Sequence, residues 1–400
     1  MTIKNPFFLF LLSLWSLGLS AQQEIGLHFD RTLWQSSRTQ PALVPDNQLT
    51  IMLPSMYFDV VTENFSIQDA LSMSDDGTTT LNIGRIIDQL GTNNEIGQQL
   101  SIQTLGVAYR FGKWTLSLEH GLRQYGSGNY PKTLPQLIWE GNGQFVGQTV
   151  DLSHQFDITA YHEFVLGAAW ELSDQWHIGT RIKLLNGIAN TQTERGGLSL
   201  FTSDDVFQIR LTGDYLVHTA GVLGIDDLSI LDQTLNFNGV DDAGIFSKNM
   251  GWAVDLGVAW ESEKWTLAAS VLDIGRINWK EEVSNYSFEG TVEYNGLDII
   301  RDYAEGQVGF SDVLDTLDAT FAPTRSELSY QTVLPRQFYL TGTYACTDKM
   351  TLGGLWSGRV TDEGWTPTIA ANVRYQLSDQ WSVGGNYAII GNTYDNIGLS

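Results

Sequence analysis

The residues of this sequence with chemistry beyond packing are six histidines, one cysteine and a large surplus of carboxylates. A hydrolase would need a nucleophile or an activated water oriented by His and a carboxylate or amide. His28, His120, His154, His162, His177 and His218 are scattered, and Gly126-Ser127-Gly128 lacks the five-residue spacing of a nucleophile elbow. His154 and His162, with Asp157 between them, match no zinc-ligand spacing. The pairs Asp204-Asp205, Asp226-Asp227 and Asp241-Asp242 lack the alternating oxygen ligands of a calcium loop and read as solvated loop residues. The single cysteine, Cys346, excludes an internal disulfide. No catalytic residue, metal or cofactor is therefore expected, and the chain is not read as an enzyme. With 22 Lys and Arg against 46 Asp and Glu, a net charge of −24 argues against a nucleic-acid partner.

The remaining charges are informative through what they alternate with. After Trp176, Ile178, Thr180, Ile182 and Leu184 share one parity, while His177, Gly179, Arg181 and Lys183 share the other. Successive side chains of a strand point to opposite faces, so this is a strand with one apolar and one polar face. The split recurs in Ile369, Ala371, Val373, Tyr375 and Leu377 against Asn372, Arg374 and Gln376, and in Ile209 and Leu211 against Arg210 and Asp214. In a transmembrane barrel the apolar face meets lipid and the polar face lines the lumen. The expected lumen set is Arg110, Glu119, Arg123, Glu171, Arg181, Lys183, Arg210, Asp214, Asp255 and Arg374. Paired opposite charges in a lumen can simply hold a barrel rigid, a reading that stands beside any role toward a solute.

An internal repeat supplies the elements that position these faces. Tyr109-Arg110-Phe111-Gly112-Lys113-Trp114, Trp170-Glu171-Leu172-Ser173-Asp174-Gln175-Trp176 and Trp260-Glu261-Ser262-Glu263-Lys264-Trp265 share a pattern. Tyr344 to Met350 and Tyr375 to Trp381 repeat it: an aromatic residue, a short polar turn, then Trp or Met. This is a hairpin signature. Aromatic residues beside every short turn form one girdle at a membrane interface, so Trp114, Trp176, Trp265 and Trp381 are placed at the periplasmic one. A composition of 40 Gly, 18 Phe, 13 Trp and 15 Tyr agrees with many strands and tight turns.

The ends of the chain complete the layout. Lys4, an apolar run over 7–19 and Leu19-Ser20-Ala21 form a signal peptide, with cleavage expected after Ala21. Residues 22–48 are a periplasmic or plug segment, and 49–400 the barrel. Strands are expected at 49–60, 100–111, 114–124, 156–172, 175–187, 191–201, 206–218, 250–261, 264–274, 335–345, 350–360, 366–377 and 381–390. A last strand begins near Asp395 and stops short of the ~10 residues that span a bilayer, so a truncated final strand is expected. That makes about fourteen antiparallel strands. The long connections 62–99, 125–155, 219–249 and 275–334 face the cell exterior, and the fourth has room for a further hairpin near 286–295. Ile83, Ile86, Ile87 and Leu90 have helical spacing, as do Phe310, Val313, Leu314 and Leu317. These short helices, through Ile86, Ile87, Phe310 and Leu314, are expected to plug the barrel mouth.

These residues also carry a resemblance. Thr39-Gln40-Pro41-Ala42-Leu43-Val44-Pro45-Asp46 resembles the Asn-Pro-Ala entry motif of barrels of the long-chain fatty-acid transporter type, with Gln40 in place of Asn. Val271-Leu272-Asp273-Ile274-Gly275-Arg276-Ile277-Asn278-Trp279-Lys280 resembles a segment of a family of Bacteroidota outer-membrane barrels of unknown function, and 190–218 adds to that likeness. The resemblance implies a bacterial outer-membrane barrel and transport of a small, apolar solute. The alternative is a surface scaffold or secretion accessory whose extracellular loops bind a protein partner. Outer-membrane lipid is a partner on either reading.

Overall fold

The structure is a computed structural model that describes residues 23–29, 33–62, 71–73, 79–204, 208–221, 247–294, 324–361, 364–378, 381–391 and 393–399. The signal peptide lies outside these residues, as do Phe310 and Leu314. The first strands are β1 (Leu49–Met52), β2 (Ser55–Thr62), β3 (Leu71–Met73), β4 (Thr79–Leu81), β5 (Asn93–Phe111) and β6 (Trp114–Pro131). There follow β7 (Thr149–Asp151), β8 (Gln155–Glu171), β9 (Trp176–Thr202), β10 (Ile209–Gly221), β11 (Met250–Glu261), β12 (Trp265–Trp279) and β13 (Ser284–Tyr294). The last are β14 (Thr324–Ser326), β15 (Tyr330–Val333), β16 (Arg336–Ala345), β17 (Met350–Thr361), β18 (Gly364–Ser378), β19 (Trp381–Ile390) and β20 (Thr393–Leu399). The α-helices are α1 (Gln23–Leu27), α2 (Ile83–Gln89) and α3 (Thr133–Glu140).

All strands but β3 and β4 belong to one 18-stranded antiparallel sheet. β1 and β2 are one strand interrupted at Leu53-Pro54, where proline cannot donate to a ladder, and both pair with β5. From there the pairing runs through β6, β8, β9, β11, β12, β16, β17, β18 and β19 to β20. The short turns recognised in the sequence join β5 to β6, β8 to β9, β11 to β12, β16 to β17 and β18 to β19, all at one end. No ladder among the described residues joins β20 to β1 or β2. The sheet nevertheless curls far enough for Arg359 on β17 to donate to Gln99 on β5 at 2.8 Å across the interior.

One expected pair of strands takes a different place. Residues 191–201 are the outer half of β9, a single 27-residue strand. The inner half of β9 pairs with β11 and its outer half with β10 on the same edge. β10 then pairs along its length with β13, and β13 briefly with β14. The end of β9 at Thr202 and the start of β10 at Ile209 therefore lie at the exterior end, opposite the short turns. The expected fourteen strands are met only by counting β10 and β13, which extend the wall outward beyond the ring. The sequence reading leaves 188–190 between two strands. The Asn190 amide is fully buried and donates to Thr159 Oγ1 at 2.7 Å, and β9 continues through this stretch with a register shift opposite Ala160 and Tyr161.

The outward parity of the ring is apolar and exposed: Leu105 and Val107, Leu116 and Leu118, Ile182 and Leu184, Leu352 and Trp356, Ile369 and Val373. A continuous apolar belt of this extent has no place in water, and a curled sheet with paired backbone is what hydrocarbon tolerates. Trp114, Trp176, Trp265 and Trp381 are exposed at the first residues of β6, β9, β12 and β19, with Trp114 stacked on Trp170 at 5.0 Å between ring centroids.

Candidate functional site

The interior is filled from the turn-bearing end by the N-terminal segment. Ile25 and Phe29 pack against Leu272, Tyr339, Leu355 and Ala370, while Ala42 and Leu43 pack against Ala259 and Ala268. Trp34 meets Met52 and Ala108. Polar contacts tie three consecutive residues to the wall. Arg38 donates to Ser101 on β5, Ser270 on β12 donates to the Thr39 carbonyl at 2.5 Å, and Gln40 donates to the Val258 carbonyl on β11 at 3.5 Å. Pro41 lies against β9, where a Cβ on Gly179 would stand 2.1 Å from the Pro41 carbonyl oxygen. At Gly257 a Cβ would stand 2.2 Å from Gln40 Oε1. Only glycine at these two positions lets the plug backbone approach so closely. The motif that suggested the transporter resemblance thus forms the seat of the plug.

Beside the seat is a buried wall of charge. Glu119 and Arg123 come from β6, Glu163 from β8, Arg181 and Lys183 from β9, Asp255 from β11 and Asp273 from β12. Arg123 Nε pairs with Glu163 at 2.9 Å and Arg181 Nη2 with Glu119 at 3.2 Å. Lys183 Nζ lies 2.8 Å from Asp255 and 2.5 Å from Asp273. The two aspartates meet because the β11–β12 register shifts between Val254 and Leu256, and Asp273 adopts φ 58°. A bulge re-aims the side chain it carries, and Asp tolerates the left-handed region better than most residues.

Above plug and wall lies a cavity of about 780 Å³ that reaches the outer ends of the strands. The plug's Ile25 and His28, with Arg123 and Asp273, line its inner end. Gln99, Gln124, Tyr125, Ser127 and Gln155 make one side polar, whereas on the other Leu334, Leu355, Val360 and Ile390 stand among Arg336, Arg359 and Thr366.

The structure brings five of the sequence-derived lumen residues together: Glu119, Arg123, Arg181, Lys183 and Asp255. Arg110 and Glu171 form a separate ion pair near the short turns, which Asp46 joins at 2.7 Å. Arg374 is half-buried on the inward parity of β18. Arg210 and Asp214 are a correction: they stand on β10 outside the ring, exposed, and pair with Glu293 and Arg195. The plug also differs from expectation. Ile87 is buried and Ile86 half-buried in α2, beside β6 and α3, and neither lines the cavity. Sequence reasoning missed Glu163, which shares the inward parity of Glu171 and was findable on that ground. It missed Asp273 because strict alternation puts that residue on the lipid face. The missing signal was the cost of a carboxylate there, about 2–4 kcal/mol for a basic residue and less for an acid.

His28 offers a pH test of plug seating. Its ring packs on Tyr339 at 4.4 Å, its Nδ1 is buried without a hydrogen bond among the described residues, and burial lowers its pKa to about 3. A released plug would restore the ordinary value near 6.5. Seating is therefore at full strength above about pH 6.5 and weakens as the pH falls toward 3, since only the released form takes up the proton readily. Single-channel recordings between pH 7 and pH 4 should show more frequent openings in acid, and His28→Phe should flatten that profile.

Residues 41–400 match the family of unknown function DUF5723. No curated protein matches. Among solved structures the chain is similar to the Pseudomonas putida toluene transporter TodX, with 11% identity over 84% of this chain and 72% of that one and a TM-score of 0.36. It is similar to a Pseudomonas aeruginosa FadL homologue, with 9% identity over 85% and 68% and a TM-score of 0.31. The translocator domain of the autotransporter NalP from Neisseria meningitidis gives 8% identity over 95% of each chain and a TM-score of 0.34.

Proposed function

The chain belongs to the DUF5723 family, whose match spans nearly the whole ring, and we propose that it is a gated outer-membrane transporter for a small solute. The observation that carries this reading is the cavity of about 780 Å³ reaching the outer strand ends and floored by the N-terminal segment. A purely structural barrel has no need of such a space, while a ligand site of this kind combines apolar walls with a few polar groups. A lining that mixes apolar with hydrogen-bonding side chains suits a solute that carries both kinds of surface. Passage then requires that residues 23–45 leave their seat, opening the lumen toward the periplasm.

A tether tests the gate. Ser270 touches the Thr39 backbone, so Thr39→Cys with Ser270→Cys, in a Cys346→Ser background, should lock the plug when oxidised. Solute flux into liposomes should cease on oxidation and return with a reductant. Equal flux in both states would remove the gate from the mechanism. The outward sheet of β9, β10 and β13, with its exposed Arg210–Glu293 and Arg195–Asp214 pairs, favours the scaffold reading. That reading gains if flux is absent throughout and deletion of this sheet disrupts a surface complex.

A further inference from the structure

The buried wall beside the plug is not electrically balanced. Glu119, Glu163, Asp255 and Asp273 carry four formal negative charges, against three positive on Arg123, Arg181 and Lys183. Two carboxylate oxygens of the wall, Glu163 Oε2 and Asp255 Oδ2, are buried and take no hydrogen bond among the described residues; Lys183 Nζ faces Asp255 Oδ2 at 2.8 Å, whereas Arg123 faces the other oxygen of Glu163, Oε1. The fourth positive charge nearby belongs to the plug. Arg38 is held through Ser101, and its charge is attracted by Glu163 and Glu119 and opposed by Arg123 and Arg181. Burial and Arg123 lower its pKa only to about 10, so it remains charged at neutral pH.

We propose that Arg38 is an electrostatic latch, supplying the one positive charge the wall lacks while the plug is seated and leaving a net-negative, cation-selecting wall when the plug departs. The inference rests on the gated reading above. Its physical basis is that a buried carboxylate without a counter-charge is costly, so the wall favours the plug's presence. Among the described residues Arg38 makes no ion pair with a wall carboxylate, so release breaks its hydrogen bond to Ser101 but no salt bridge. Once the plug has swung away, water enters and the surplus negative charge faces the path, where charged side chains set ion selectivity.

The test uses the full-length protein in planar bilayers under a KCl gradient. Arg38→Gln should raise the open fraction about tenfold or more, and Arg38→Lys should stay near the parent. Pairing Arg38→Gln with Glu163→Gln should restore closure, because wall and plug each lose one charge. Open currents of Arg38→Gln should reverse at a potential favouring K⁺ over Cl⁻, and Glu163→Gln should reduce that preference. Heat-modifiable gel migration identifies folded protein in every case. An Arg38→Gln open fraction equal to the parent's, an Arg38→Lys that opens as readily as Arg38→Gln, or an anion-selective open current would overturn the latch. If the Thr39–Ser270 tether still abolishes flux while these variants fail, the latch falls and the gate stands. If the tether has no effect, the gate itself falls.

Discussion

Replacing Gly179 with Val should unseat the plug and convert a barrel that opens rarely into one that conducts most of the time. A Cβ there would meet the Pro41 carbonyl oxygen at 2.1 Å, and the obstacle is backbone on both sides, so no side-chain rotation relieves it. Overpacking of this kind costs about 1–3 kcal/mol. Because β9 is fixed by ladders to β8 and β11, the plug is the part that yields, and the whole cost falls on the seated state. The seated-to-released ratio should then fall by about 5–150-fold, read as open fraction in single-channel records. Gly354→Ala on β17, where an added Cβ meets nothing within 4 Å, is the matched control and should leave the record unchanged. A Gly179→Val barrel that folds and stays closed would mean that 38–43 is not the seat.

The hairpins and their lipid face were legible because both depend on local rules. Tyr109 to Trp114 and Trp260 to Trp265 announce their turns by residue type, and Ile178, Ile182 and Leu184 announce their face by parity. What the sequence hid depends on distant partners. Nothing local distinguishes 191–201 from a membrane strand, because its height is set by the β8–β9 pairing that climbs from Glu171 to Asp157 through a register shift at Ala160 and Tyr161. Arg210 and Asp214 were misplaced for the same reason, since alternation assigns a side but not a level. The N-terminal segment was read only as periplasmic or plug, and the way it is seated was hidden more deeply. Residues 34–43 show no regular period, and their meaning comes from small wall residues on three strands, Gly179, Gly257 and Ala268, that leave room for them. Asp273 was lost to the bulge, which breaks the parity on which the lumen assignment rested.

The second large effect is expected at Lys183, which is almost wholly buried and carries the pairing of two carboxylates. Lys183→Met keeps the length of the side chain and removes its charge, leaving Asp255 and Asp273 facing each other around one bulge. Breaking a buried pair by deleting one partner typically costs about 3–5 kcal/mol, more than replacing the pair as a whole. Unfolding of detergent-purified protein, followed by loss of the heat-modifiable band in urea, should therefore shift to markedly lower denaturant. The rest of the wall says which second change should repair it. Asp273 retains Arg123 Nη1 at 3.6 Å, whereas Arg181 Nη1 stands 4.0 Å from Asp255, and Asp255 is the more completely enclosed. Asp255→Asn should thus rescue Lys183→Met to a larger extent than Asp273→Asn, and the two changes together should cost less than the sum of each alone. Strict additivity of Lys183→Met and Asp255→Asn would mean that the wall is a set of independent contacts. In that case its surplus charge could not be felt by the plug, and the closed barrel would owe its seating to packing at Gly179 and Gly257 alone.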